Sequence, residues 1–179
     1  MLIDGVEVTA RPSRREALRR IAFMPQSASA PGNLSVLETV TYLTWMRGTP
    51  WSRARQQARQ ALALVDLEKM SDTRCKALSG GMQRRVWLAQ ALASEADVLL
   101  LDEPSTGLDP RQRQLMLTAL HRAAETGATI VLSSHVLEDV ADLADHLVVL
   151  THGTVAFDAA MPESLDSTWF LDVTDGVRP

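Results

Sequence analysis

Two hydrophobic periods alternate along this chain, and the places where one gives way to the other outline its organisation. Between Ser52 and Asp66, apolar Ala54, Ala58, Ala61, Leu62 and Val65 recur at i, i+4, i+7, i+8 and i+11, which predicts a helix with one buried face. Ser35-Val36-Leu37-Glu38 is a capping box that opens an earlier helix, ended near Arg47 by Gly48 and Pro50. Residues 33–77 are therefore expected to be mainly helical. After them the pattern becomes short solid apolar runs, Val98–Leu101, Thr129–Leu132 and Leu147–Leu150, each read as a buried strand. Helices are expected between them, over Met82–Ser94, from Asp109-Pro110 to Thr126, and over Val136–Ala144. His152-Gly153 is a turn into a last strand, Thr154–Phe157, and beyond Leu165 the pattern is uninformative. Ahead of the helical stretch, Met1–Val8 reads as strand with a turn at Asp4-Gly5. A second capping box, Ser13 to Glu16, opens a short helix, and Arg20–Met24 returns as strand.

Buried strands alternating with helices predict an α/β fold around a parallel sheet, with an α-helical subdomain inserted into it. The expected division is a core of residues 1–32 and 78–165, a helical subdomain of residues 33–77, and a tail of residues 166–179.

Composition narrows the function by exclusion. The net charge of −4 gives the whole chain no pull toward nucleic acid or acidic lipid. Sixteen of the eighteen basic residues are arginine. Cys75 stands alone, which excludes an internal disulfide and a cysteine-rich metal site. The longest clean apolar runs fall far short of the roughly 20 residues a membrane-spanning helix needs. Asp4 and Glu7 interrupt the place where a signal peptide would be apolar.

The candidate chemistry sits where strands end. Val98–Leu101 runs into Asp102-Glu103-Pro104, and open α/β sheets bind ligands beyond the carboxyl ends of their strands. One such carboxylate suits Mg²⁺ and its neighbour suits an attacking water, although an isolated acidic pair is more often a solvated turn. Leu78-Ser79-Gly80-Gly81-Met82 precedes a helix. Ser79 can cap it, and the glycines leave backbone N–H groups open, as a phosphate site requires. Arg84 and Arg85 read as a solvated face of the same helix.

Taken in order, Met24-Pro25-Gln26, Leu78–Met82, Val98–Pro104, Ser105–Asp109 and Ser134-His135 resemble the Q-loop, signature, Walker B strand, D-loop and switch histidine of the ATP-binding domain of ABC transporters. The resemblance runs from the first residues to about Leu165. It implies a partial P-loop NTPase sheet of RecA-like type with the helical ABC subdomain inserted. It implies ATP and Mg²⁺ as cofactors, with Asp102 holding Mg²⁺ through water or directly and Glu103 polarising the hydrolytic water. By the same resemblance His135 contacts the γ-phosphate, and Gln26 senses Mg²⁺ and the γ-phosphate. Ser79, Gly80, Gly81 and Met82 then close over ATP held by a second ATP-binding subunit in a head-to-tail dimer, and Asp109 works across that interface. The implied partner is a transmembrane subunit, with no nucleic acid, and the implied place is the cytoplasmic face of the cell membrane.

Two departures qualify that picture. Met82 stands where many members have Gln; with Gln83-Arg84-Arg85 and Ser133-Ser134-His135, this is similar to prokaryotic exporters of drugs, antibiotics, lipids or polysaccharides. The second concerns the P-loop: no G-x-x-x-x-G-K-S/T occurs, and neither Lys69 nor Lys76 has its surroundings. The unit carrying that loop is expected ahead of Met1. The alternative reading is a non-catalytic remnant or partner that lends its signature to another subunit's ATP. A soluble ABC-type ATPase of DNA repair or translation is set aside, because there is neither a coiled coil nor a second cassette.

Overall fold

The computed structural model describes residues 2–3, 6–7, 14–27 and 30–176. The chain divides into two compact units, Met1–Ser133 and Ser134–Pro179. The expected Asp4-Gly5 turn and the Ser13 cap lie outside the described residues.

The first unit begins with two short antiparallel strands, β1 (Leu2–Ile3) and β2 (Val6–Glu7), followed by helix α1 (Arg14–Arg19). Its centre is a three-stranded parallel sheet in the order β3 (Ile21–Met24), β4 (Val98–Asp102), β5 (Thr129–Ser133). The register pairs Met24 with Leu101, and Asp102 with Ser133. The ends of all three strands therefore open at one edge, and the residues that follow Met24 and Asp102 emerge side by side.

Between β3 and β4 the chain forms α2 (Val36–Met46), α3 (Trp51–Leu64), two short 3-10 turns (Glu68–Met70 and Cys75–Ala77) and α4 (Gly80–Ala93). The Ser35 capping box is complete: the Ser35 hydroxyl accepts from the Glu38 N–H, and the Glu38 carboxylate accepts from the Ser35 N–H at 2.8 Å. Ala54, Ala58, Ala61, Leu62 and Val65 are all buried, as the periodicity of α3 requires. Gly48 turns the chain between α2 and α3 at φ +103°, a conformation that strains any residue with a Cβ. A Cβ there would also lie 2.7 Å from the Arg19 guanidinium. Arg47 reaches the other way, donating to the carbonyls of Arg19 and Ile21 and tying α2 to the α1–β3 junction.

Two expectations need correction. The strands β4 and β5 are not buried on both faces. Leu99 and Leu101 are covered, but Val98 and Leu100 are only half-buried, and Val131 of β5 is 55% exposed. Alternation decides this: one row points toward the helices, and the row Phe23–Leu100–Val131 lies on the opposite face. Helix α4 also starts at Gly80 rather than Met82, because Ser79 accepts from the Met82 N–H and the cap stands before both glycines. Between β4 and β5 lies α5 (Pro110–Glu125), capped by Asp109.

The second unit has α6 (Leu137–Leu143) and an antiparallel hairpin of β6 (His146–Thr151) and β7 (Thr154–Ala160), turned at His152-Gly153 as expected. It ends in α7 (Ser167–Thr174), in the stretch the sequence pattern left blank. Asp166 caps α7, and Trp169 and Val173 bury themselves with Val149, Trp169 meeting Phe157 edge-on with ring centroids 5.0 Å apart.

Candidate functional site

The carboxyl edge of the parallel sheet gathers the candidate residues of the first unit. Asp102 is the last residue of β4, and its Oδ1 accepts from the Ser133 hydroxyl at 2.8 Å. The same hydroxyl accepts from the Glu103 N–H at 3.0 Å, and the Ser133 carbonyl accepts from that N–H at 3.2 Å. One serine at the end of β5 therefore orients both members of the acidic pair. Sequence reasoning gave Ser133 no such task; the signal appears only once the parallel register sets it beside Asp102.

Glu103 leaves the strand at φ +49°, a left-handed conformation uncommon for a residue with a side chain. Such backbone costs on the order of 1–3 kcal/mol and persists where its surroundings over-determine it. The surroundings do so. Besides the Ser133 contacts to its N–H, the Glu103 carbonyl accepts from Arg84 and from the Thr106 N–H. The Glu103 carboxylate accepts from the Thr106 hydroxyl at 3.1 Å. The half-buried carboxylate is thus tied to the turn that follows β4.

Gln26 follows Met24 and Pro25 at the end of β3. Its side chain is exposed and its carbonyl accepts from Arg84 Nη1 at 2.5 Å. Together with Met24, Pro25, Ser27, Gly80, Gln83, Arg84 and Trp87 it lines a cleft of about 330 Å³. The start of α4 and the segment that follows β3 therefore share one cleft. Ser79 and Gly80 are exposed, and nothing stands within 4 Å of where a Gly80 Cβ would be. Gly81 differs: a Cβ there would come within 2.6 Å of the Gln112 side chain and 3.6 Å of the Gly107 carbonyl, so the D-loop segment packs against the signature within this chain. Asp109 is exposed and spends one carboxylate oxygen on the Gln112 N–H at 2.8 Å.

Arg84 and Arg85 are not a solvated helix face. Arg85 is 7% exposed, and its Nη1 donates to the carbonyls of Val65 and Asp66. Arg84 is half-buried and donates to four carbonyls, those of Gln26, Asp102, Glu103 and Pro104. Loss of water around it pulls the guanidinium below its ordinary pKa, and the carboxylates of Glu103 and Asp102 oppose that shift. Helical spacing alone cannot separate a solvated arginine from one whose neighbours are strand-end carbonyls lacking ladder partners. His135 belongs to the second unit, where it is exposed in the segment before α6; there the Ser134 hydroxyl accepts from the Val136 N–H at 3.0 Å.

The fit to a divalent cation can be tested on the donors. Among the described residues no group of three or more His, Cys, Asp or Glu side chains is gathered. Asp102 offers one hard carboxylate, oriented by Ser133. That suits Mg²⁺, which commonly takes one or two protein carboxylates and fills its octahedron with phosphate oxygens and water.

The family model for ABC transporters matches residues 1–106. The chain belongs to the ABC transporter family. It is 35% identical over 169 residues to the Nod factor export ATP-binding protein I of Burkholderia orbicola (strain AU 1054), covering 94% of this chain and 56% of that protein. It is 33% identical over 161 residues to the daunorubicin/doxorubicin resistance ATP-binding protein DrrA of Streptomyces peucetius, covering 90% of this chain and 48% of that one. The chain thus spans about half the length of the curated relatives it matches. A solved ATP-binding subunit of an ABC transporter superposes with a TM-score of 0.78 at 23% identity, over 89% of this chain and 65% of that chain. An ABC transporter solved in an inward-facing conformation superposes with a TM-score of 0.74 at 28% identity, over 87% of this chain and 64% of that one. The parallel sheet and its helices are those of an ABC ATP-binding subunit. No helix among the described residues is long and apolar enough to cross a membrane.

Proposed function

We propose that this chain is part of the ATP-binding subunit of an ABC exporter, coupling ATP binding and hydrolysis to transport through a transmembrane subunit. The observation that carries this reading is the sheet edge itself: Gln26, Asp102 and Glu103 emerge together there, next to the start of the signature helix. The two relatives named above are an export protein and a drug-resistance protein by name, which supports the exporter class.

Each residue then has a task. Asp102, oriented by Ser133, holds Mg²⁺, which when bound neutralises phosphate charge. Glu103, projected by its strained backbone and steadied by Thr106, orients and polarises the attacking water. Gln26 senses the γ-phosphate, and His135 keeps the phosphate contact that the family resemblance implies. Ser79–Met82 and Asp109 act across a head-to-tail dimer with a second ATP-binding subunit, because open backbone donors at a helix start favour phosphate. The subunit works at the cytoplasmic face of the membrane.

The row Phe23–Leu100–Val131 is a partly exposed apolar face of the kind that parallel sheets cover with a helix. The tryptophans Trp45 and Trp51, 46% and 49% exposed with ring centroids 6.0 Å apart, are the surface we assign to the transmembrane subunit.

The test joins the chain to the P-loop unit of an ABC ATP-binding subunit and measures Mg-ATP hydrolysis. Glu103→Gln should lower hydrolysis by about 10²–10⁴-fold while ATP still binds. Normal hydrolysis in that variant would refute the role of Glu103. Micromolar Mg-ATP binding by the 179 residues alone would show that the joined unit is not needed for nucleotide binding.

A further inference from the structure

Arg84 has no part in the tasks assigned above, yet its guanidinium holds more strand-end carbonyls than any ladder contact does. It lies on the second turn of α4, the helix whose first turn is the signature. Nη1 donates to the Gln26 carbonyl at 2.5 Å, Nε donates to the Pro104 carbonyl at 3.1 Å, and Nη2 donates to the carbonyls of Glu103 and Asp102. A guanidinium is a planar fork of five N–H donors with no acceptor, so a single side chain can hold several carbonyls in fixed directions. Two segments are held in this way: the one that follows β3 and the turn that follows β4. The second contains Glu103, whose left-handed backbone turns its carbonyl out of the sheet ladder and toward α4. Arg85, the next residue, points to the end of α3 and shares none of these contacts.

We propose that Arg84 is a positioning residue, locking the Gln26 carbonyl and the Asp102–Pro104 turn onto the signature-bearing helix. A helix moves as a rigid body. A ligand closing on Ser79–Met82 therefore reaches the hydrolytic carboxylate of the same chain through this side chain, beside the packing of Gly107 and Gln112 against Gly81. In a head-to-tail dimer the signature faces the partner's nucleotide, so Arg84 links the partner's site to this chain's own. The inference rests on the roles proposed for Gln26 and Glu103.

Arg84→Met and Arg84→Lys test it in the P-loop-bearing protein. Met removes the fork and keeps the apolar stem; Lys keeps the charge but offers a point donor. Both should lower kcat by about tenfold to hundredfold, the scale of a small misplacement of reacting groups. KM for Mg-ATP should stay within about threefold and the melting temperature within a few degrees. Hydrogen exchange in the 179-residue chain supplies a readout independent of catalysis: amides of residues 26, 27, 103, 105 and 106 should exchange faster in both variants. Wild-type kcat in Arg84→Met, full recovery in Arg84→Lys, unchanged exchange, or failure of both variants to fold would each overturn the proposal. If exchange accelerates while Glu103→Gln hydrolyses ATP normally, the clamp stands and the role of Glu103 fails, so the two ideas are separable.

Discussion

Replacing Arg85 by methionine should cost this chain several degrees of melting temperature, and the structure sets the size. Arg85 is 7% exposed, and its Nη1 donates to the carbonyl of buried Val65 at 2.9 Å and to that of exposed Asp66 at 3.2 Å. These carbonyls follow the end of α3, where Asp66 takes a left-handed φ of 54° and no helical N–H is available to them. A buried acceptor deprived of a charged donor costs about 1.5–3 kcal/mol, and one that water can reach costs less. Against this, methionine fills the apolar part of the space and needs no desolvation. Arg85 Nε is already buried without a partner, so removing it recovers some free energy. The balance is a loss of about 2–3 kcal/mol, or about 4–12 °C for a chain of this size. Arg85→Lys, with a single ammonium for two carbonyls, should fall between. Thermal unfolding followed by circular dichroism on the 179-residue chain measures both. A folded Arg85→Met variant melting within about 1 °C of the parent would refute the carbonyl argument and make Arg85 the solvated residue its sequence position suggests.

Ser133→Ala should raise the Mg²⁺ concentration needed for hydrolysis in the P-loop-bearing protein by about tenfold, the low end for losing a group that orients a metal ligand, while Ser133→Thr should not; equal Mg²⁺ curves would show that Asp102 does not need its hydroxyl partner. Glu38 predicts a pH dependence. Donation from the Ser35 N–H, helped by Arg74, holds its carboxyl below the ordinary value of 4.5. Its contribution is therefore present above that value and lost as pH falls through the folded one. The melting difference between the parent and Glu38→Gln should shrink on acidification below about pH 4.5; a difference independent of pH would contradict this. Trp45→Ala or Trp51→Ala should weaken co-purification with the transmembrane subunit and leave ATP binding intact. Lowered melting with normal coupling would make both tryptophans packing residues.

The elements legible in the sequence are those whose cause is local. The Ser35 box, the Asp109-Pro110 start and the buried face of α3 each need only neighbouring residues, and each stands where its residues predict. Helix α7 has the same kind of signal, an Asp cap at Asp166, but too short an apolar run after it to compete with a featureless tail. The burial of β4 and β5 was misread because a run such as Val98–Leu101 is apolar at every position, and apolarity does not say which face is covered. Coverage depends on which helices arrive, and only the Ala22–Leu99 and Met24–Leu101 rows are fully covered.

The site divides along the same line. Residues that touch phosphate, metal or water are constrained in type, because carboxylates, amides, glycines and imidazole do that chemistry, so Gln26, Asp102, Glu103 and Ser79–Met82 stand out as candidates by type and order. Residues that hold them are constrained by geometry alone. A strand end exposes carbonyls and leaves a carboxylate free to rotate, and any donor that the fold delivers to that edge can satisfy them. In this chain the donors are Ser133, delivered by the register of β5, and Arg84, delivered by the second turn of α4. Neither residue type at its position distinguishes a support from a surface residue. Such supports become visible only when one asks where each carbonyl at the catalytic edge finds its donor. Asked of Glu103, whose backbone sits in a strained conformation, that question leads to both residues at once: Ser133 on its N–H and Arg84 on its carbonyl.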